Sequence, residues 1–187
     1  MVTARSGTST APTTSEREGR VWDELAQIPD PEIPAISVVD LGVIRRVAFE
    51  EAPGGGERLR VELLPTFVGC PAIGVMQQQI GERLGGLGLA DEVVVELSFA
   101  EAWTSDRISE EGRERLRASG FAPPLSIGPA AAGLDELTVF EPLPSPATCP
   151  YCGSRNTTLD NPFGPTLCRA IYHCADCRQP FEQFKRV

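Results

Sequence analysis

Histidine is almost absent from this chain: His173 is the single one among 187 residues. One imidazole cannot supply the paired Glu-x-x-His motifs of a di-iron carboxylate site, and no Gly-rich nucleotide fingerprint is present either. Basic residues are also in deficit, with 17 Lys and Arg against 26 Asp and Glu, a formal charge of -9 and a pI near 4.7. A surface of that sign repels phosphate backbones, so nucleic acid is not expected as a main partner. Long apolar runs are missing, since no stretch reaches the roughly 18 residues of a membrane span. Residues 1–17 contain eight Ser or Thr and lack the apolar core of a signal peptide. A cytoplasmic protein without a membrane partner is expected, large enough for one ordinary core and a small satellite module.

What is present falls into four parts. The Ser/Thr-rich segment 1–17 has too little apolar surface to offset its ordering entropy and reads as a disordered tail. From residue 18, Val21, Trp22 and Leu25 share one side of a short helix, which the proline run Pro29, Pro31 and Pro34 stops in favour of a rigid extended loop. Val43 to Phe49 and Leu59 to Leu64 are β-rich runs separated by Pro53-Gly54-Gly55-Gly56, which predicts a hairpin. Helical spacing of Ile73, Met76, Ile80 and Leu84 follows from Pro71. Val93 to Phe99 alternate as a third strand, and Ser109 caps a further helix that ends at Gly120. The order predicts an α+β fold, a small two-layer sandwich over 18–122. Residues 123–147, with six prolines, read as a Pro/Ala-rich linker in which Val139 and Phe140 could add a short strand, and 148–187 as a separate module.

That module holds five of the six cysteines. Cys149-x-x-Cys152 and Cys174-x-x-Cys177 are two knuckles with 21 residues between the inner cysteines. Each pair can turn both sulfurs toward one ion, and two knuckles complete a tetrahedron. Zinc is favoured over a single iron as the more frequent structural ion for four thiolates. The expected role is structural, because four cysteines leave no open position for substrate. Cys168 and His173 are not expected to join them. Along a strand Cys168 and Cys174 lie roughly 20 Å apart, so Cys168 is read as a small buried residue and His173 as a surface residue.

Cys70 stands alone in the first domain, just before Pro71 at a helix start, where free amides and the helix dipole favour a thiolate. A buried inert cysteine is the other reading of that position. Asp30, Glu32 and Asp40 sit in Pro- and Gly-punctuated loops as potential oxygen ligands, although Asp30 and Asp40 more readily cap turns. Trp103 reads as a packing anchor, and Arg113 to Arg117 as a solvated helix face.

Asp30-Pro31-Glu32-Ile33-Pro34, Val39-Asp40-Leu41-Gly42-Val43, and Thr66 followed by Cys70-Pro71 resemble the successive motifs of the metal-sulfur cluster biosynthetic family, the SufT-like domain. Ala102-Trp103-Thr104-Ser105-Asp106, Ser109-Glu110-Glu111-Gly112, Ala122-Pro123-Pro124 and the cysteine module with Phe163-Gly164-Pro165-Thr166 resemble the D-subunit family of bacterial phenylacetyl-CoA oxygenase (ring epoxidase) systems. The resemblance implies that Cys70 is the reactive or transient metal-binding residue, with Thr66 and Asp40 as neighbours, and that iron or an iron-sulfur cluster passes through it. It further implies an accessory subunit in aerobic phenylacetate degradation that helps assemble an iron or iron-sulfur centre in another subunit of the oxygenase, alongside iron-sulfur assembly proteins, and that is no enzyme alone. Two other classes are weighed beside it. An enzyme with Cys70 as nucleophile lacks a histidine base in its own domain. A zinc-ribbon adaptor for protein or nucleic acid draws on the ribbon's basic residues but meets an acidic whole.

Overall fold

In the computed structural model, residues 13–67, 70–124 and 146–186 are described. Helix α1 spans Thr14–Leu25, earlier than its composition suggests. Thr13 and Glu16 close a capping box, the Glu16 amide donating to Thr13 Oγ1 at 3.3 Å and the Thr13 amide to the Glu16 carboxylate at 2.7 Å. Arg17 then reaches the Glu57 carboxylate and the Leu89 carbonyl, and lies 3.9 Å over the Phe49 ring. The expected tail is thereby corrected for residues 13–17: a Ser/Thr run with a Glu three residues on is a helix start. Residues 1–12 lie outside the described residues.

Strands β1 (Ile44–Glu51) and β2 (Glu57–Leu63) form the expected hairpin, with Val47 opposite Val61 and Phe49 opposite Leu59. Helix α2 (Ala72–Gly85) crosses over, and β3 (Glu92–Leu97) joins β2 in parallel, Leu59, Val61 and Leu63 facing Val93, Val95 and Leu97. Period-two alternation sends these side chains to one face, where Val21 and Leu25 of α1 and Met76, Ile80 and Leu84 of α2 cover them. The other face carries a ladder of opposite charges: Arg60 pairs with Glu50 at 2.7 Å and with Glu96, and Arg58 pairs with Glu92 at 2.8 Å.

The proline-rich loop after α1 folds back on itself instead of running extended. Val38 donates to Ile28 O at 2.9 Å, Asp30 donates to Ile36 O at 2.9 Å, and Ile33, Ile36 and Val38 are buried. Helix α3 (Glu110–Ala118) packs back on this loop. Its cap residue Ser109 accepts from the Gly112 amide and donates its own amide to Asp40 O. Gly112 sits so close that a Cβ there would lie 3.0 Å from Asp40. Arg113 is buried, donating to Pro124 O at 2.7 Å and Ser105 O at 2.6 Å, which corrects the reading of 113–117 as a solvated face at that residue, while Glu114, Arg115 and Arg117 are exposed as expected. A buried guanidinium with two carbonyl acceptors binds the chain on both sides of α3 together.

The cysteine module forms a four-stranded sheet of β4 (Phe121–Ala122), β5 (Thr157–Asn161), β6 (Arg169–Cys174) and β7 (Pro180–Phe184) in the order β4-β7-β6-β5. β4 belongs in sequence to the first domain yet pairs with β7, and Ala147 is fully buried in the ribbon's own core. The boundaries expected at 122 and 148 are therefore crossed by packing on both sides. Residues 125–145, including Val139 and Phe140, lie outside the described residues. Cys168 and Phe184 are buried in the first domain's core. The Phe184 ring lies 5.9 Å from that of Trp103, whose indole N–H donates to Leu41 O at 3.0 Å. Trp103 is the packing anchor its sequence context suggests. Phe184→Ala should therefore remove an anchor shared by both domains and lower unfolding stability by about 3 kcal/mol, measured by denaturant titration of the metal-loaded protein.

Candidate metal centres

Four thiols converge at the outer end of the ribbon. Cys149 and Cys177 Sγ are 3.6 Å apart, as are Cys152 and Cys174 Sγ, and all four sulfurs lie within 4.8 Å of one another. Sulfurs about 2.3 Å from a central ion stand roughly 3.8 Å apart at the corners of a tetrahedron, so the spacing fits one ion. Backbone turns prepare the set: Gly153 donates to Cys149 O and Arg178 to Cys174 O, both at 2.9 Å, and Gly153 and Arg178 take positive φ of 75° and 60° to close the knuckles. The amides of Cys177 and Asp176 draw the Cys174 thiol down to about 7. The Cys177 thiol is pushed up to about 12, the Gln179 amide working against burial and the thiols of Cys152, Cys174 and Cys149. Several thiolates cannot form side by side without a cation, and a divalent ion supplies it. Among the described residues this is the one such group of three or more His, Cys, Asp or Glu. Cys168 and His173 stand outside it.

Cys70 sits immediately before α2, where Pro71 is the cap residue, and its sulfur accepts from the amides of Ala72 and Ile73. The expected helix-end position is correct, but the expected acidity is not. Burial pushes the Cys70 thiol above its ordinary range, and the carboxylates of Glu32 and Asp30 push it further, outweighing the two amides. Cys70 opens on a cavity of about 280 Å³ lined also by Glu32, Phe67, Phe163, Thr166 and Cys168.

The other expected site residues are placed differently. Asp40 does not line the cavity. Its carboxylate accepts from the Ser37 amide and hydroxyl, from Ser109 Oγ at 3.2 Å and from Arg115 Nη1 at 2.7 Å, so it ties the loop to α3. Thr66 is half-buried and also outside the lining. Val68 and Gly69, which complete the Thr66 to Cys70 motif, lie outside the described residues. Asp30 caps its own turn, accepting from the amides of Glu32 and Ile33 at 2.9 and 2.7 Å. Burial raises its pKa, with those amides and Arg169 opposing. Glu32 is left facing the cavity. Cys168, assigned to packing from sequence, is buried as expected but lines the cavity opposite Cys70, a placement that spacing within the ribbon could not reveal. The neighbouring Phe163-Gly164-Pro165-Thr166 run was the available signal, since its residues form the rest of that wall.

Fold and site together define a class: a small α+β domain joined to a four-cysteine β-ribbon. Residues 18–97 match the family described as iron-sulfur cluster assembly protein, and residues 141–185 match the PaaD zinc beta ribbon domain. Over 167 residues, 89% of this chain and 92% of the relative, the sequence is 39% identical to an Escherichia coli (strain K12) protein, the D-subunit protein of a "Putative 1,2-phenylacetyl-CoA epoxidase". The chain belongs to this D-subunit family. Two solved structures are similar in part. One is a domain of unknown function from Bacillus anthracis, 21% identical, covering 55% of this chain and 93% of that one with a TM-score of 0.48. The other is a Mycobacterium tuberculosis protein described as associated with Fe-S complex assembly and repair, 28% identical, covering 66% and 98% with a TM-score of 0.36.

Two outcomes follow from these sites. Cys152→Ser and Cys174→Ser should each lose the ribbon metal and its ordered sheet, whereas Cys168→Ser should keep one ion per chain, as read by elemental analysis and circular dichroism. Cys70 should be alkylated slowly at neutral pH. Its thiol is protonated there, so the rate should climb with pH and reach its midpoint above that of a free cysteine, measured by iodoacetamide labelling and mass spectrometry.

Proposed function

We propose that this chain is an accessory maturation subunit of a bacterial phenylacetyl-CoA epoxidase system, working in the cytoplasm with the system's other subunits and with iron-sulfur assembly proteins. In this reading it assists assembly or insertion of an iron or iron-sulfur centre in a partner subunit and performs no oxygenation itself. The observation that carries it is Cys70, which lines a cavity beside Glu32 as a thiol kept protonated chiefly by burial, with the carboxylates of Glu32 and Asp30 adding to it. Such a thiol stays reduced and uncharged until a cation displaces its proton, which suits transient holding better than permanent ligation. The iron is cargo. The ribbon ion, zinc by the donor set of four thiolates, is structural: it closes the knuckles of a module of about 40 residues that has too small a core to hold its fold alone.

The enzyme alternative gains nothing here, because no histidine lines the cavity to serve as base for Cys70. No helix among the described residues is long and apolar enough to cross a membrane. Epoxidase complex purified from cells carrying Cys70→Ala should contain less iron and turn over less phenylacetyl-CoA than wild type, at normal levels of a folded variant. Full client metallation with Cys70→Ala would overturn the reading.

A further inference from the structure

The four-thiol cluster and the cavity beside Cys70 lie at opposite ends of one hairpin. β6 and β7 pair antiparallel, from His173 opposite Pro180 to Arg169 opposite Phe184. The knuckle Cys174-x-x-Cys177 is the turn that joins them, where the Cys174 amide donates to Gln179 O at 3.0 Å. Cys168 and Phe184 stand at the open end, roughly 20 Å away along the strands. That end is bonded to the cavity wall. Gly164, where a Cβ would lie 3.0 Å from Arg169, donates its amide to Arg169 O at 2.8 Å, and the Arg169 amide donates to Thr166 O at 3.1 Å. Lys185 donates its amide to Cys168 O at 2.7 Å and its Nζ to Leu167 O at 3.0 Å. Residues 163–168 form the ribbon side of the cavity and face Glu32, Phe67, Cys70 and Pro71. The wall is thus part of the hairpin, and it sits against the first domain because Phe184 is buried there.

The hairpin in turn depends on the ion. Two of the seven residues buried in the ribbon's own core, Cys149 and Cys174, belong to the four-thiol set, and the others are three alanines, Tyr172 and Phe181. A core that small does not hold a sheet unless a metal closes it. We propose that the ribbon is a metal-dependent cover for Cys70: uptake of the ribbon ion orders the hairpin, docks it through Phe184 and closes residues 163–168 over the thiol. A chain that has not taken up its ion presents Cys70 open to solvent and to other proteins. The docked and undocked ribbon are the two states, and both the ion and the Phe184 contact favour the docked one, so each strengthens the other. Burial is the chief reason that the Cys70 thiol sits above its ordinary range, so uncovering it also makes it more acidic. This coupling governs access to Cys70 and holds whether or not the thiol handles iron.

The test follows iodoacetamide labelling of Cys70 in the full chain at neutral pH, free of oxygen and read on the Cys70 peptide by mass spectrometry. Amide hydrogen exchange at Val61 and Ile80 reports whether the first domain stays folded. Stripping zinc from the wild-type chain with a chelator should speed labelling of Cys70 by about tenfold or more, and returning zinc should restore the slow rate. Cys152→Ser should behave like the stripped chain. Phe184→Ala with zinc bound should also label Cys70 faster than wild type, and it should give up its zinc to a competing chelator faster, as reciprocal coupling requires. The proposal is overturned if Cys70 labels at one rate with and without zinc, or if zinc-loaded Phe184→Ala labels as slowly as wild type. It is also overturned if the faster labelling comes with loss of exchange protection at Val61 and Ile80, because Cys70 is then reached by unfolding of its own domain. Labelling of the isolated chain does not involve a client subunit, so the cover and the assembly reading stand or fall separately.

Discussion

The ribbon's docking through Phe184 is the contact on which the arrangement of the rest depends. Its ring leaves the ribbon's own core and enters that of the first domain against Trp103, while β7, which carries it, accepts β4 as a parallel edge partner. Burying one Phe contributes on the order of 2 kcal/mol, and here that contribution is shared by two units that each have a small core. The position of Cys168 follows from it, since the Lys185 amide next to Phe184 donates to Cys168 O at 2.7 Å. Without this seam the cavity beside Cys70 would lack one wall.

The chain uses its cysteines in two chemical settings. At the knuckles, amides converge on sulfurs that stand at the outer end of the sheet, which lowers the cost of making thiolates for a tetrahedral ion. Beside Cys70, burial and carboxylates act in the opposite direction. One environment suits a ligand set that is filled and stays filled, the other a thiol that is charged only in company.

Local signals in the sequence were enough for most elements. The hairpin, the crossover helix, the third strand and the Ser109 cap all rest on short-range periodicity or capping chemistry, and the knuckles rest on spacing. What was not legible depends on contacts between distant segments. Arg113 looked solvated because its charged neighbours are; its carbonyl acceptors, Ser105 O and Pro124 O, come from outside the helix. Asp40 caps its turn through Ser37, as the sequence favours, but the donors that take up the rest of its carboxylate, Ser109 and Arg115, lie about 70 residues on and were not legible locally. Cys70 looked acidic from its helix end alone, since its burial, and to a smaller extent the carboxylates of Glu32 and Asp30, come from a loop that only the fold brings near. In each case the local rule was sound and a tertiary partner decided the outcome.

Both ends of the segment 125–145 are fixed to packed structure. Pro124 is held through its carbonyl by Arg113, just after β4 has entered the ribbon sheet, and Ala147 lies in the ribbon core. The placement of these two flanking residues is therefore set by the packing around each of them. Separating the domains would mean unzipping β4 from β7 and withdrawing Phe184 from Trp103, so the length of the connector has little control over their spacing. Changes in that length should be nearly neutral for the fold, because the ribbon loop that walls the cavity is tied to β6 through Gly164 and Arg169 and owes nothing to the connector.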